Sequence, residues 1–507
     1  MTLSALRHKN ILLYIINHTY INEVQTITQI FFPNAKFNIQ CLSEQEYLLS
    51  RLSSSQPLLY PIPLRTEYFI VSRLTETDCM NEVYRFGGSL IDCDIIGSNT
   101  VNLAANGMPV RRLLMLALYH ALQQVFNRQV PWGALTGIRP SKLVRQWMSE
   151  GQSDGAIGDT LTNTMKCRAD KAALALTVAR AENRIEEKYR LNSPNTAALY
   201  INIPYCPSRC LYCSFTTSAA RHVKDDIAAY LQALAKEMES SAQYINGNSI
   251  ELTSIYIGGG TPTVLDVYQL ESLLSLINRL FNPSVEFTVE AGRPDTITQE
   301  KLRLLCDFGV TRISISPQSA NDETLRRIGR NHTSADFVRA FDMARGHGFI
   351  NINTDIIAGL PGERINDVQN TIHTVTSLQP ESITVHTLAI KRSSRLNEHL
   401  RDKDSINQPV MAGSDEIDGM LTIAYEGCEQ AGMSPYYLYR QKNMIGNFEN
   451  VGYCQPGFEC IYNVGMMADM QTVIGVGAGA VSKWVAGDRI ERTFNVKNPD
   501  LYIKGQK

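Results

Sequence analysis

What this sequence has least of is a surplus of charge. Lys and Arg number 48 against 50 Asp and Glu, a formal net charge of −2 over 507 residues. Proteins that grip nucleic acid or anionic membrane surfaces carry a basic excess, and none exists here. Long hydrophobic runs are also missing. The apolar patch Ile11–Ile16 is too short to cross a bilayer. The opening MTLSALRHKN has neither the cationic start nor the long apolar core of a secretory signal. Cysteines number 11, an odd count without the pattern of a disulfide framework. These lacks predict a cytoplasmic protein in a reducing compartment, with no membrane insertion and no nucleic-acid partner. A core is not lacking: 44% of the residues are hydrophobic, and the length predicts two or three domains.

The cysteines that are present are concentrated. Cys206, Cys210 and Cys213 stand as C-x3-C-x2-C in ALYINIPYCPSRCLYCSFTT, residues 198–217. The alternating segment Leu199–Ile203 reads as a short strand, and Pro204 stops it because proline cannot donate to a sheet ladder. The thiols therefore sit on a loop leaving a strand's C-terminal end. Three thiolates this close can bind a soft metal centre. A structural zinc site usually takes four ligands, often from two C-x2-C pairs, and no second pair exists. A disulfide pairing leaves one thiol over. Three ligands on a four-iron cluster would leave one iron open for a small molecule.

Around this loop the chain divides into three predicted parts: 1–195, an α+β domain of unknown role; 196–395, a partial barrel; and 396–507, a C-terminal domain covering the barrel mouth. In the first part Glu67–Leu74 reads as a strand and Arg111–Phe126 as a buried helix. The stretch Gln129–Leu143, QVPWGALTGIRPSKL, holds too many glycines and prolines for a regular element and reads as a connecting, ligand-holding or docking loop. Cys167–Arg190 reads as an exposed linking helix, and Cys41, Cys79, Cys93 and Cys167 as packing residues.

From Ala197 strands and helices alternate. The predicted strands are Leu199–Ile203, Ser254–Ile257, Glu286–Glu290, Arg312–Ser316, Asn353–Ile357 and Ser382–Leu388. Between them lie amphipathic helices over Ile227–Met238, Tyr268–Leu280, Thr298–Phe308, Ala335–His347 and Ile365–Leu378. Such alternation implies parallel strands with right-handed crossovers. The fold class is α/β, a partial (β/α)6 TIM-like barrel or, as the alternative, a doubly wound open sheet. In both, ligands bind at the strands' C-terminal ends. Gly258, Gly259 and Gly260 follow the second strand without the Lys-Ser/Thr ending of a P-loop. Glu290, Gln318 and Asp355 end or follow apolar runs at the same rim.

The segments YINIPYCPSRCLYCSF, YIGGGTPTVL, FTVEAGRPDTIT, RISISPQSANDETLRRIGRNHT and NINTDIIAGLPGE together resemble the oxygen-independent coproporphyrinogen III oxidase family of radical S-adenosylmethionine (SAM) proteins, within it the coproporphyrinogen dehydrogenase subgroup HemZ, which carries an extra N-terminal region. The resemblance covers residues 197 to about 490. It implies that Cys206, Cys210 and Cys213 hold a [4Fe–4S] cluster, with Tyr200 beside them. A first SAM would lie against Tyr200, Gly259 and Glu290. A second would draw on Tyr212, the Gly260–Thr261 backbone, Gln318, Arg330, Asp355 and Ala389, and Val481 would close over the first. The implied activity is oxidative decarboxylation of coproporphyrinogen III to protoporphyrinogen IX in haem biosynthesis, with a small electron donor such as flavodoxin or ferredoxin. Arg330, Lys391 and Arg392 are candidates to meet the substrate's carboxylates, though solvated surface accounts for the last two.

One departure from the family pattern stands out. The oxidases carry a fourth cysteine two residues after the third, where this chain has Phe215; the family's haem-chaperone branch lacks that cysteine too. A haem-binding chaperone with a regulatory cluster is therefore the alternative function. Cys454 and Cys460, with Cys428, match no common metal site, and His386 reads as a core histidine on the sixth strand.

Overall fold

The computed structural model describes residues 9–505 apart from 33–34, 48–65, 87–92, 105–107, 137–138, 216–217, 220–223, 282–285, 403–407, 442–443 and 488. The chain forms two compact units, 1–137 with 153–173, and 138–152 with 174–507. Among the described residues no helix is long and apolar enough to cross a membrane.

The first unit is built on a five-stranded sheet of β1 (Asn10–Ile16), β2 (Lys36–Leu42), β3 (Thr66–Leu74), β4 (Asp78–Phe86) and β5 (Cys93–Asn102), in the order β2-β1-β3-β4-β5. The run NILLYII is buried from its second residue onward because β1 lies between parallel neighbours β2 and β3. The predicted helix is present as Val110–Phe126, with nine successive or near-successive buried residues, and lies on β4 and β5. In the QVPWGALTGIRPSKL stretch residues 131–134 form a turn at the fully buried Trp132, and the last four residues open the helix Pro140–Ser149. Gly133 has φ +53°, and a Cβ there would stand 2.1 Å from the Met165 carbonyl oxygen, so glycine is required. Gly137 and Ile138 lie outside the described residues, as does the Cys93 side chain.

The predicted boundary at 195/196 falls inside the second unit. In that unit Arg145 donates to Asn183 (2.6 Å) and pairs with Glu186, and Ser141 donates to Glu182 (2.9 Å), which ties the helix Pro140–Ser149 to the later part of the helix Ala169–Tyr189. That later helix is not the exposed linker its Lys- and Glu-rich composition implies. Val178, Ala179, Glu182 and Ile185 are buried along one face, the helical spacing that composition alone hides.

The main sheet of this unit contains β6 (Thr196–Ile203), β9 (Glu251–Gly259), β10 (Glu286–Gly292), β11 (Arg312–Ile315), β12 (Ile352–Ala358) and β13 (Ser382–Thr387), side by side in sequence order and parallel. This is the partial (β/α)6 arrangement; a doubly wound order would reverse partway. The crossover helices Gln299–Asp307, Asp322–Arg327 and Ser334–Gly346 start on Thr298, Asn321 and Thr333, whose side chains accept the first free N–H groups. Two-residue strands β7 (Tyr205–Cys206) and β8 (Ser218–Ala219) pair along the cysteine loop.

Residues after 395 join this sheet rather than forming a separate layer. β14 (Ser434–Tyr439) and β15 (Asn450–Cys454) add antiparallel strands beyond β13. At the other edge β16 (Thr472–Val476) adds in parallel to β6, followed by antiparallel β17 (Val481–Ala486) and β18 (Arg489–Phe494). The short helix Ile461–Met467 packs against β9, β14 and β16. Its first N–H groups, from Ile461 (2.7 Å) and Tyr462 (3.1 Å), donate to Glu286, the opening residue of β10. Because β10 starts there, this helix closes the end of the barrel opposite the cysteine loop. Its C-terminal carbonyls are held as well: Arg139 donates to the Met467 oxygen and pairs with Asp469, and Lys483 Nζ donates to the Gly465 and Met466 oxygens at 3.0 Å each. The arginine of the GIRPSK stretch thus fixes a helix 328 residues later.

Candidate active site

The cysteine loop is anchored on three sides. Leu211 N–H donates to the Ile328 oxygen (2.9 Å), and Ser208 Oγ to the Gly329 oxygen (3.1 Å). Arg293, just past β10, is held by Asp295 through two hydrogen bonds of 2.9 and 2.8 Å and donates to Ser208 Oγ at 2.7 Å. The glycine rim meets the loop from β9. Gly260 N–H donates to the Ile203 oxygen and Thr261 N–H to the Tyr205 oxygen, both at 2.8 Å. Those two amides are therefore engaged with the cysteine loop itself, so what they fix is the loop's place. A Cβ at Gly259, whose φ is +107°, would stand 2.1 Å from Asn202 Oδ1.

Cys206 and Cys213 are partly exposed and Cys210 is buried. Burial pushes the Cys206 thiol up to about 11, Thr261 opposes it at 3.5 Å, and the other two thiols add to the rise, so the three feel one another. Burial also raises Cys213, opposed by the Phe215 N–H. Arg293 acts on Cys206, Arg209 and Arg330 act on Cys213, and Arg330 hydrogen-bonds Cys210. Among the described residues no three His, Cys, Asp or Glu side chains form the ligand set of a single ion. Three mutually interacting thiols flanked by guanidiniums fit an anionic multi-iron cluster, in which each sulfur takes a different iron.

On one side of the lumen Glu290 accepts from Tyr256 Oη at 2.7 Å and from the Gly259 N–H. Burial raises its carboxyl to about 7, the Tyr256 bond opposes this, and Asp355 adds to it. Tyr200, Tyr256 and Tyr462 form a stack, with centroids 6.1 Å apart for the first two, 5.8 Å for Tyr200–Tyr462 and 4.4 Å for Tyr256–Tyr462. The structure thus brings Tyr200, Gly259 and Glu290 together.

On the other side stands Asp355. Burial acts to raise its carboxyl, but His386 and hydrogen bonds from Ser316, Asn353 and Thr384 outweigh it and leave it lowered and ionised. Ser316 lies at 2.6 Å and Asn353 at 2.8 Å. His386 Nε2 stands 3.9 Å from Asp355 Oδ1, so it faces the lumen as part of this network. Gln318 bridges to Ile356 beside it, with φ +69°, a left-handed conformation a non-glycine residue rarely holds. Arg330 donates to the Ser316 oxygen (2.6 Å) and to Tyr212 Oη (3.4 Å), while its buried Nε has no partner. A guanidinium and an ionised carboxylate in one site fit the zwitterionic amino-acid end of SAM.

Ala389 pairs with Met444 at the end of this side. Val481 opens β17 opposite Phe494, and β16 separates that strand from β6. The residues of its glycine-rich segment that meet the rim are Gly477 and Ala478, the latter accepting from Asn202 Nδ2 at 2.5 Å. Sequence reasoning missed Tyr256, Tyr462, Arg293 and the polar set around Asp355. For that set a signal existed: Arg312, Ser314 and Ser316, and again Asn353 and Asp355, alternate on one strand face. For Tyr462 no local signal existed.

Residues 200–375 match the radical SAM superfamily profile. Proteins of this superfamily use a [4Fe–4S] cluster and SAM. The chain is 39% identical over 378 residues to the oxygen-independent coproporphyrinogen-III oxidase-like protein HemZ of Bacillus subtilis (strain 168), covering 73% of this chain and 74% of that protein. It is 34% identical to the haem chaperone HemW of the same organism over 60% of this chain and 74% of that one. Among solved structures the coproporphyrinogen III oxidase HemN of Escherichia coli has the same fold, with a TM-score of 0.51 at 22% identity over 63% of this chain and 71% of that one. Identity of this extent, together with a thiol loop and polar rim in the places described, makes the chain a member of the radical SAM family of oxygen-independent coproporphyrinogen-III oxidase-like proteins.

Proposed function

We infer that this chain carries out the oxygen-independent oxidative decarboxylation of coproporphyrinogen III to protoporphyrinogen IX. The observation that carries this reading is the completeness of the Asp355 side. An ionised carboxylate, a strained Gln318 and the unpartnered Arg330 Nε are held together without serving as core packing.

In this reading Cys206, Cys210 and Cys213 hold the cluster, and Arg293, Arg209 and Arg330 offset its charge. Bound there, the cluster and SAM supply a reductively generated carbon radical able to take hydrogen from a propionate side chain. The chain's own work is placement. Glu290 accepts from ribose hydroxyls of one SAM. Asp355 accepts from the ammonium of the other, and Arg330 Nε donates to its carboxylate. The stack of Tyr200, Tyr256 and Tyr462 lines one wall and keeps water from that side.

The test is anaerobic incubation of reduced, cluster-loaded protein with SAM and coproporphyrinogen III. Methionine, 5′-deoxyadenosine and a divinyl product are expected; SAM cleavage without vinyl product rejects the assignment. One observation favours a second reading. Phe215 replaces the oxidases' fourth cysteine, and the chain is also similar to a haem chaperone. Stoichiometric haem binding by the cluster-loaded chain, with no vinyl product, selects that alternative.

A further inference from the structure

Phe215 is 69% exposed and lies two residues from Cys213, itself partly exposed. Its backbone N–H bonds the Cys213 sulfur, so an aromatic ring open to solvent connects through one peptide to a thiol of the site. The surface beside it is cationic. Ser393 Oγ donates to the Ser214 oxygen (3.4 Å), and the exposed Arg209 donates to the Ser393 oxygen (2.7 Å). This contact brings residues 391–401 against the thiol loop, and Leu396 N–H donates to the Leu211 oxygen (2.9 Å). That segment carries Lys391, Arg392, Arg395 and Arg401 against the one carboxylate of Glu398. Arg392 and Arg395 are exposed, and Lys391 is half-buried. A chain with near-zero net charge has thus concentrated positive charge beside an exposed ring two residues from the partly exposed Cys213.

We propose that the Phe215 ring with Arg209, Lys391, Arg392 and Arg395 is the docking surface for a small acidic protein that carries one electron at its own surface. This rests on the radical reading above, which needs an electron delivered to the cysteine-held centre. Charge complementarity selects the partner. Opposite charge steers the encounter, and an exposed aromatic seats it, in the small and short-lived kind of interface that electron carriers use. In the step, the carrier's redox centre loses one electron and the cluster gains it. No bond forms or breaks, and no proton crosses the interface.

The test uses cluster-loaded protein without tetrapyrrole, which sets aside any role of these cations in substrate binding. The intact chain, Phe215→Ser, and Arg392→Glu combined with Arg395→Glu are mixed anaerobically with reduced flavodoxin, then separately with dithionite, and bleaching of the cluster absorption is timed. With flavodoxin both variants slow reduction at least about tenfold at low salt, and the charge-reversal effect fades toward about 0.5 M salt, while dithionite rates stay within about threefold. Calorimetric titration with oxidised flavodoxin shows a matching loss of affinity. Equal slowing with both reductants, or none with flavodoxin, overturns the proposal. If the intact chain accepts electrons from neither, the radical reading fails, and the calorimetric titration, which needs no electron transfer, still decides the docking surface.

Discussion

The two ends of the barrel each hold cysteines, and they do opposite things with them. At the rim Cys206, Cys210 and Cys213 lie on a loop between a glycine turn and three guanidiniums, and two of the three are partly open. At the floor Cys454 and Cys460 are buried with Tyr436, Tyr437 and Tyr462. Cys460 opens the helix Ile461–Met467, and its thiol donates to Glu286 at 3.4 Å. Burial pushes both floor thiols far above the range where thiolates form. Cys428 is likewise buried and raised. The lesson is that spacing nominates a cysteine, but its distance from solvent decides whether it can be a ligand, since guanidiniums stand near both sets.

The sharpest way to break this comparison is to move a thiol from each end. Cys210→Ala is expected to abolish the iron–sulfur absorption of anaerobically loaded protein, while Cys460→Ser leaves it intact. Loss of absorption in both variants would erase the distinction. Next in size is Glu286→Ala at the floor. It removes the carboxylate that holds two helix N–H groups and lies beside the buried Arg312. Stability falls by about 3–5 kcal/mol in urea unfolding, with cluster content per folded molecule unchanged.

Smaller effects sharpen the rim. Replacing Arg330 by Met removes the free Nε donor and is expected to weaken SAM binding by about ten- to a hundredfold, the worth of a hydrogen bond to a charged group. Glu290 gives a pH signature. Its carboxyl is raised from 4.5 to about 7 in the folded chain. Its stability contribution is therefore fully present below the unfolded value and is lost as pH rises through about 7. Hydroxyl groups of SAM are best met by the ionised form, so SAM affinity rises between pH 6 and 8, by at most about tenfold per unit. Glu290→Gln flattens that rise; an unchanged profile would show that another group titrates. Least of all, Cys454→Ala costs about 1–2 kcal/mol of stability and nothing in cluster loading.

Much of this was legible locally. The six barrel strands and their helices follow from alternation and helical spacing within a residue or two at most ends. The thiol loop follows from C-x3-C-x2-C after a strand stopped by Pro204. Less legible were groups whose partners are distant in the chain: Glu286 under the helix Ile461–Met467, Tyr462 in the stack, and Arg139 at that helix's far end. His386 reads locally as a core histidine, and only its 3.9 Å approach to Asp355 places it in the site.

The sequence by itself determined the alternation of strand and helix, the thiol trio and the balance of charge, because each depends on neighbours within a few residues. Only the tertiary structure decided that the C-terminal strands extend both edges of the barrel, that its last short helix closes the floor, and which cysteines stand on a partly open loop rather than in the buried floor. Those outcomes depend on hydrogen bonds and burial between residues tens to hundreds of positions apart, whose pairing no local pattern encodes.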